Sequence, residues 1–278
     1  MNGLATLARR LLVEARWLML LSAAAMFALS WLCVYRNSVM EARLRADTTG
    51  LSMRARMILR TAGGPNMDFS AAAIEALVFY WFFLCIPILI TVAWAIARGA
   101  ASVAGEIERG TMDLVLSRPV ARTTFLGAQV LVALAGFLAM GLAIVVGHAV
   151  GVRLHPLEAP PPWLSVLRPI LNLDLLGVSV LGYTVMLSAV DSVRWRPTLI
   201  SSGLTLVQFG ALAVANQPDW DSWRWLNHVT IFSAFQPIEA AVVGEALFFN
   251  GALLGGIGLA GVVLGWIAFQ YRDLPANS

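Results

Sequence analysis

An all-α integral membrane protein with six transmembrane helices is the fold class the sequence predicts, and three observations carry that reading. Hydrophobic residues make up 59% of the 278 residues and charged ones 13%, about half the charged share of a soluble domain. The apolar residues gather into six long runs instead of spreading in alternation. Each run is close to the roughly 20 residues a helix needs to cross a hydrocarbon core of about 30 Å. Backbone groups in lipid must bond within their own segment, so each run should be helical; the short alternating segments of a membrane barrel are absent.

Residues 1–16 place Leu4, Leu7, Ala8, Leu11 and Ala15 at helical spacing, with Arg9, Arg10 and Glu14 elsewhere. This reads as an N-terminal amphipathic helix in the headgroup plane, or as a plain extension of the first span into water. Span 17–35 is uncharged for 19 residues, longer than a secretory signal core, and is taken as an uncleaved anchor. The loop 36–69 is arginine-rich, with helix formers at 40–45 and 53–61 and a turn signal at 62–66. The second span is 74–98, with Glu75 at its end, and the third is 123–152. Loop 153–168 contains the stiff "APPP". The fourth span, 169–190, is broken only by Asp174. The link 191–196 is short enough to make the fourth span and the fifth, 197–218, an antiparallel hairpin. Segment 219–245 carries Trp220, Trp223 and Trp225, which suit a membrane–water interface. The sixth span is 246–271. No polar stretch is long enough for its own core, so residues 1–278 read as one membrane domain.

Composition excludes some chemistry. There are 19 arginines and no lysine. A Walker A loop needs its lysine on the phosphates and a Schiff-base enzyme needs an amine, so the chain has no such ATPase motif of its own. The arginines are dispersed, which argues against a nucleic-acid footprint. Cys33 and Cys85 lie in spans without a CxxC partner and read as packing residues. His148, His155 and His228 have no ligand spacing, so no metal site and no catalytic residue is predicted. Six spans put both termini on one side. That side holds ten arginines and the other nine, six of them in loop 36–69. Leaving that loop out gives ten against three, which favours cytoplasmic termini.

One polar segment interrupts the apolar pattern. "GEIERGTMDLVLSRPVAR", residues 105–122, holds six charges: Glu106, Glu108, Arg109, Asp113, Arg118 and Arg122. The second span should run on as helix to about Arg109 and stop at Gly110, because glycine tolerates the left-handed conformation. Thr111 suits the N-cap of a new short helix, and Asp113 suits the positive end of its dipole. Met112, Val115 and Leu116 share one side, and Pro119 ends the helix. An apolar side flanked by charge fits docking to another protein, or a surface helix that lies on the headgroups or packs on its own bundle.

The same segment resembles the cytoplasmic loop of ABC-2 type transporter permeases, which follows their second span. Glu106, Glu108, Gly110, Thr111, Leu114, Leu116, Ser117, Pro119, Val120 and Arg122 match that pattern, and Asp113 takes its acidic place. Val115, Ala121 and Gln129 depart from it. The resemblance implies a multi-pass permease in a bacterial plasma (inner) membrane, with cytoplasmic termini. It implies short membrane-dipping helices at "IFSAFQPIEA", residues 231–240. The partners it implies are two copies of an ABC ATPase subunit, carrying ATP and Mg, and a second permease copy or paralogue. No cofactor is expected on the chain itself. Met112, Leu114, Val115 and Leu116 become the expected ATPase contacts, with Glu106 and Glu108 bracing the junction against Arg109 or Arg122. The implied function is ATP-driven export. A non-transporting scaffold or mechanotransmitter on the same ATPase is the alternative, and a secondary transporter a weaker one.

Two further features stand out. Gly251, Gly255, Gly258, Gly261 and Gly265 in the last span read as close helix packing within one subunit, or as a dimer contact. Asp174 is the one carboxylate inside a span and reads as an intramembrane polar site, or as an interface residue near Arg168.

Overall fold

The computed structural model describes residues 3–46, 71–110, 121–157, 160–217, 220–242 and 245–272. Among them, six helices are long and apolar enough to cross a membrane. They are α1 (Gly3–Ala46), α2 (Ala71–Ser102), α4 (Arg122–Leu154), α5 (Trp163–Val190), α6 (Trp195–Ala215) and α8 (Glu245–Tyr271). Short pieces fill the remainder: α3 (Ala104–Glu108), 3-10 helices Asp221–His228 and Ile231–Ala234, and α7 (Pro237–Val242). The chain is a multi-pass membrane protein, and each expected span is present as a helix.

The boundaries differ from expectation where local chemistry overrides hydropathy. Of the two readings of residues 1–16, the extension of the first span is the one seen: the stretch is the first part of the 44-residue α1. Its apolar face does not look outward, because Leu11 and Ala15 are 4% and 5% exposed within the bundle core. The fourth span begins at Trp163, not at 169. Pro162 sits before the first turn with φ −61° and ψ 145°, and Pro169 is carried inside the helix. The fifth span ends at Ala215, short of 218, with Asn216 as its C-cap.

Lipid tails are as apolar as leucine, so burying leucine drives no association between spans; close packing does. α5 is the hub. Along its seam with α8, backbones touch: a methyl group at Gly182 would lie 2.3 Å from the Gly258 carbonyl oxygen. One at Gly261 would lie 2.4 Å from the Gly182 carbonyl carbon. Ser179 adds a 2.6 Å hydrogen bond from its hydroxyl to Leu254 O. The second close pair is α1 with α4. There Gly147 and Gly151 receive Phe27, Ser30 and Val34, and Ser30 Oγ donates to Ile144 O at 2.8 Å. Trp94 of α2 lies across Gly136 of α4 and donates to Ala133 O at 3.0 Å.

The segment between α6 and α8 is anchored by polar side chains set well inside two spans. Gln208 of α6 accepts from Ile231 N with its side chain and from Thr230 Oγ1 with its carbonyl. Asn172 of α5 donates to Ala234 O and accepts from Gln236 N. Ile231, Phe232 and Ala234 are buried there. Irregular backbone at this depth is tolerated because protein groups satisfy it.

Candidate functional site

The contacts bring six helix ends together at one end of the bundle. These are the start of α1, the end of α2 with α3, the starts of α4 and α6, and the ends of α5 and α8. The charged segment 105–122 attaches there. Thr111, Met112, Asp113, Leu114, Val115, Leu116, Arg118 and Pro119 lie outside the described residues. Its two anchored edges are described.

On the α2 side the helix breaks once, at Val103 (φ −120°, ψ −59°). The break frees two backbone N–H groups, of Val103 and Ala104. Ser188 Oγ of α5 accepts from both, at 3.2 and 3.0 Å, and donates to Ala100 O at 3.1 Å. One hydroxyl thus replaces the helix bonds the kink removes. Helix α3 then ends where the sequence expects, with Gly110 left-handed at φ +65°.

Glu106 is only 2% exposed and pairs with Arg109 at 3.1 Å. Arg109 reaches on to Glu14 of α1 at 3.8 Å, and Glu14 also holds Arg10 at 3.0 Å. Glu108 does not meet Arg109 or Arg122 as the resemblance suggested. Its carboxylate accepts from Arg194 N at 2.8 Å, at the start of α6, where a negative charge complements the helix dipole. Asp191 serves the same turn, accepting from Ser192 N and Val193 N at 2.7 and 3.1 Å.

On the other edge Arg122 is more than a surface marker. Its guanidinium donates to Phe269 O, Gln270 O and Arg272 O, at 2.8, 3.2 and 2.8 Å, closing the carbonyl end of α8. Arg272 in turn closes α5, donating to Ala189 O at 2.9 Å and Asp191 O at 2.7 Å. Arg98 donates to Gln129 Oε1 at 2.8 Å; a lysine at 129 would have no acceptor to offer. Of the described residues on either side of segment 111–120, those before it are tied to α1, α5 and α6 and Arg122 after it is tied to α8.

The sequence reading missed Ser188, Arg194 and Arg272 as part of this site. Ser188 sits in an apolar run where one hydroxyl carries no periodic signal. Arg194 contributes its backbone, which is invisible in side-chain chemistry. Arg272 was legible only as a span-end charge.

The five last-span glycines singled out in the sequence all face α5, whereas Gly256 points into open space. Gly251 and Gly255 lie against Leu175, Gly258 against Val178, Gly261 against Gly182 and Gly265 against Met186. The face offered as a possible dimer contact is occupied by the chain's own helix.

Asp174 lies deeper than expected, about 16 Å of helix beyond Trp163, and forms no ion pair with Arg168. Its carboxylate points at Gly141 of α4, where a methyl group would lie 3.1 Å from Asp174 Oδ2. An acid at the centre of a span costs about 2.5–3.5 kcal/mol to insert. Among the described residues no group of three metal-ligating side chains is present.

A sequence model of the family described as ABC-2 family transporter protein matches residues 10–219. No curated protein and no solved structure matches the chain.

Proposed function

The chain belongs to the ABC-2 family of transporter proteins, and from that premise we propose that it couples ATP hydrolysis on a separate subunit to substrate export. In this reading the chain is the membrane permease of an assembly with two ATPase subunits, which hold ATP and magnesium, and a second permease copy or paralogue. The bundle end that bears segment 105–122 faces the cytoplasm of a bacterial cell, so both termini are cytoplasmic. Met112, Leu114, Val115 and Leu116 form the apolar contact with the ATPase. Thr111 and Asp113 start the helix that presents it, and Arg118 and Pro119 close it.

The observation that supports this reading is the double anchoring of the segment. Glu106 and Arg109 tie its left edge to Glu14 of α1, and Glu108 ties it to the start of α6. Arg122 ties the right edge to α8. A displacement of the segment would reach three spans at their ends without crossing the packed middle of the bundle. Rigid elements joined by a remodelled polar junction are a common form of switching.

The test is co-purification with the P-loop ATPase encoded beside the chain. The wild type should retain the ATPase. The double variant Leu114→Asp, Leu116→Asp should release it while the melting temperature of the membrane subunit stays unchanged. Retention by the double variant, or failure of the wild type to hold any ATPase, overturns the reading. Nucleotide-dependent movement of substrate in reconstituted vesicles separates an exporter from a scaffold on the same ATPase.

A further inference from the structure

We propose that Asp174, seated in the notch left by Gly141, is the binding site for the positive group of an amphipathic organic cation. The inference takes the chain as a transporter, as above, and names the class of molecule it handles.

The carboxylate is half-buried and makes no hydrogen bond or ion pair among the described residues. No ion pair to it is formed by any arginine or histidine among the described residues. Asn172, two residues away, has its amide committed to Ala234 O and Gln236 N. One turn along α5, Gly177 receives Phe137 and Thr91. Thr91 is 1% exposed and its hydroxyl also lacks a partner. Two unpaired polar side chains thus lie within one helical turn in the same α2–α4–α5 seam.

The surface around the carboxylate is apolar and faces outward. Leu164, Leu167 and Leu171 are exposed and precede Asp174 at spacings of three and four on one face of α5. Leu138 and Leu142 of α4, which bracket Gly141 in sequence, are exposed too. Lipid is a poor occupant for a face bearing an acid at mid-depth. A second copy of this chain is no better. The middles of all six apolar runs carry no arginine, lysine or histidine, so a copy brings no counter-charge to this depth. Among the described residues no group of three metal-ligating side chains is present to hold a metal ion there. What remains complementary is a molecule that carries its own delocalised positive charge on an apolar body. The cation meets Asp174 and the body meets the leucines.

The test uses the purified full chain in lipid nanodiscs and measures equilibrium binding of tetraphenylphosphonium. Wild type should bind it saturably. Asp174→Asn keeps the shape and removes the charge; it should weaken binding about tenfold or more, the value of a charged contact. Binding of the neutral triphenylphosphine oxide should be unchanged between the two. Asp174→Glu should restore part of the affinity. Gly141→Ala, whose methyl would crowd Asp174 Oδ2, should weaken binding while leaving the carboxylate in place. Equal affinity in wild type and Asp174→Asn overturns the proposal, as does absence of saturable binding to wild type. The binding measurement needs no ATPase, so loss of ATPase association and loss of cation binding are read separately.

Discussion

The α5–α8 seam and the polar end of the bundle hold helices together by opposite means. In the seam, glycines bring backbones into contact, and one buried hydroxyl bond accompanies them. At the polar end, arginines and carboxylates reach between elements to close one another's termini. Close packing has one geometry and fails steeply when displaced. Charged caps reach through long side chains beside water and can exchange partners at modest cost. The difference teaches which part of this permease can move as a body and which part can be rearranged.

Five substitutions sharpen that contrast. The largest effect belongs to Gly182→Val, since even one methyl there would meet the Gly258 backbone. It should destabilise the fold by about 3 kcal/mol or more, read as loss of a monodisperse, cooperatively melting protein in detergent. Arg109→Ala comes next. It strips a partner from Glu106, which is 2% exposed, and should cost about 2–3 kcal/mol. Glu106→Ala should cost less, because Arg109 is half-exposed and water can take it over; thermal melts of the pair check the asymmetry. Ser188→Ala leaves the N–H groups at the Val103 kink without their shared acceptor. A loss of about 2 kcal/mol is expected, with faster amide exchange at 103 and 104. Gly255→Ala should be the smallest, within about 0.5 kcal/mol, because its methyl would meet only Leu175 Cδ2 at an ordinary 3.6 Å. If Gly255→Ala proved as damaging as Gly182→Val, the seam would not be the contact described.

The sequence disclosed the spans because hydrocarbon thickness imposes a run length, and a largely apolar run of 22 or 26 uncharged residues has few other uses. It disclosed the stop at Gly110 because a left-handed residue after a helix favours glycine. It misplaced the start of the fourth span because Arg168 was taken to close the preceding loop, whereas the helix already begins at Trp163, directly after three prolines. The glycine seam was visible as spacing, but its partner was not: nothing in the last span names Gly182 as the opposing residue. At the polar end, Glu106 and Arg109 were legible as an (i, i+3) pair. The bond from Arg194 N to Glu108 was not, because it joins residues 86 apart through a backbone group. Asp174 was conspicuous by type, but its notch depends on a glycine in another helix.

The account predicts that nucleotide rearranges the polar end and leaves the seam intact. Spin-label distances in the assembled transporter test this directly, in a background with Cys33 and Cys85 replaced by alanine. One label pair should span the polar end, from Arg10 to Ala121, and one the seam, from Met186 to Val262. Trapping the ATPase with nucleotide should shift the first distance by more than about 2 Å and leave the second within error. A shift across the seam with a fixed polar end would contradict the account.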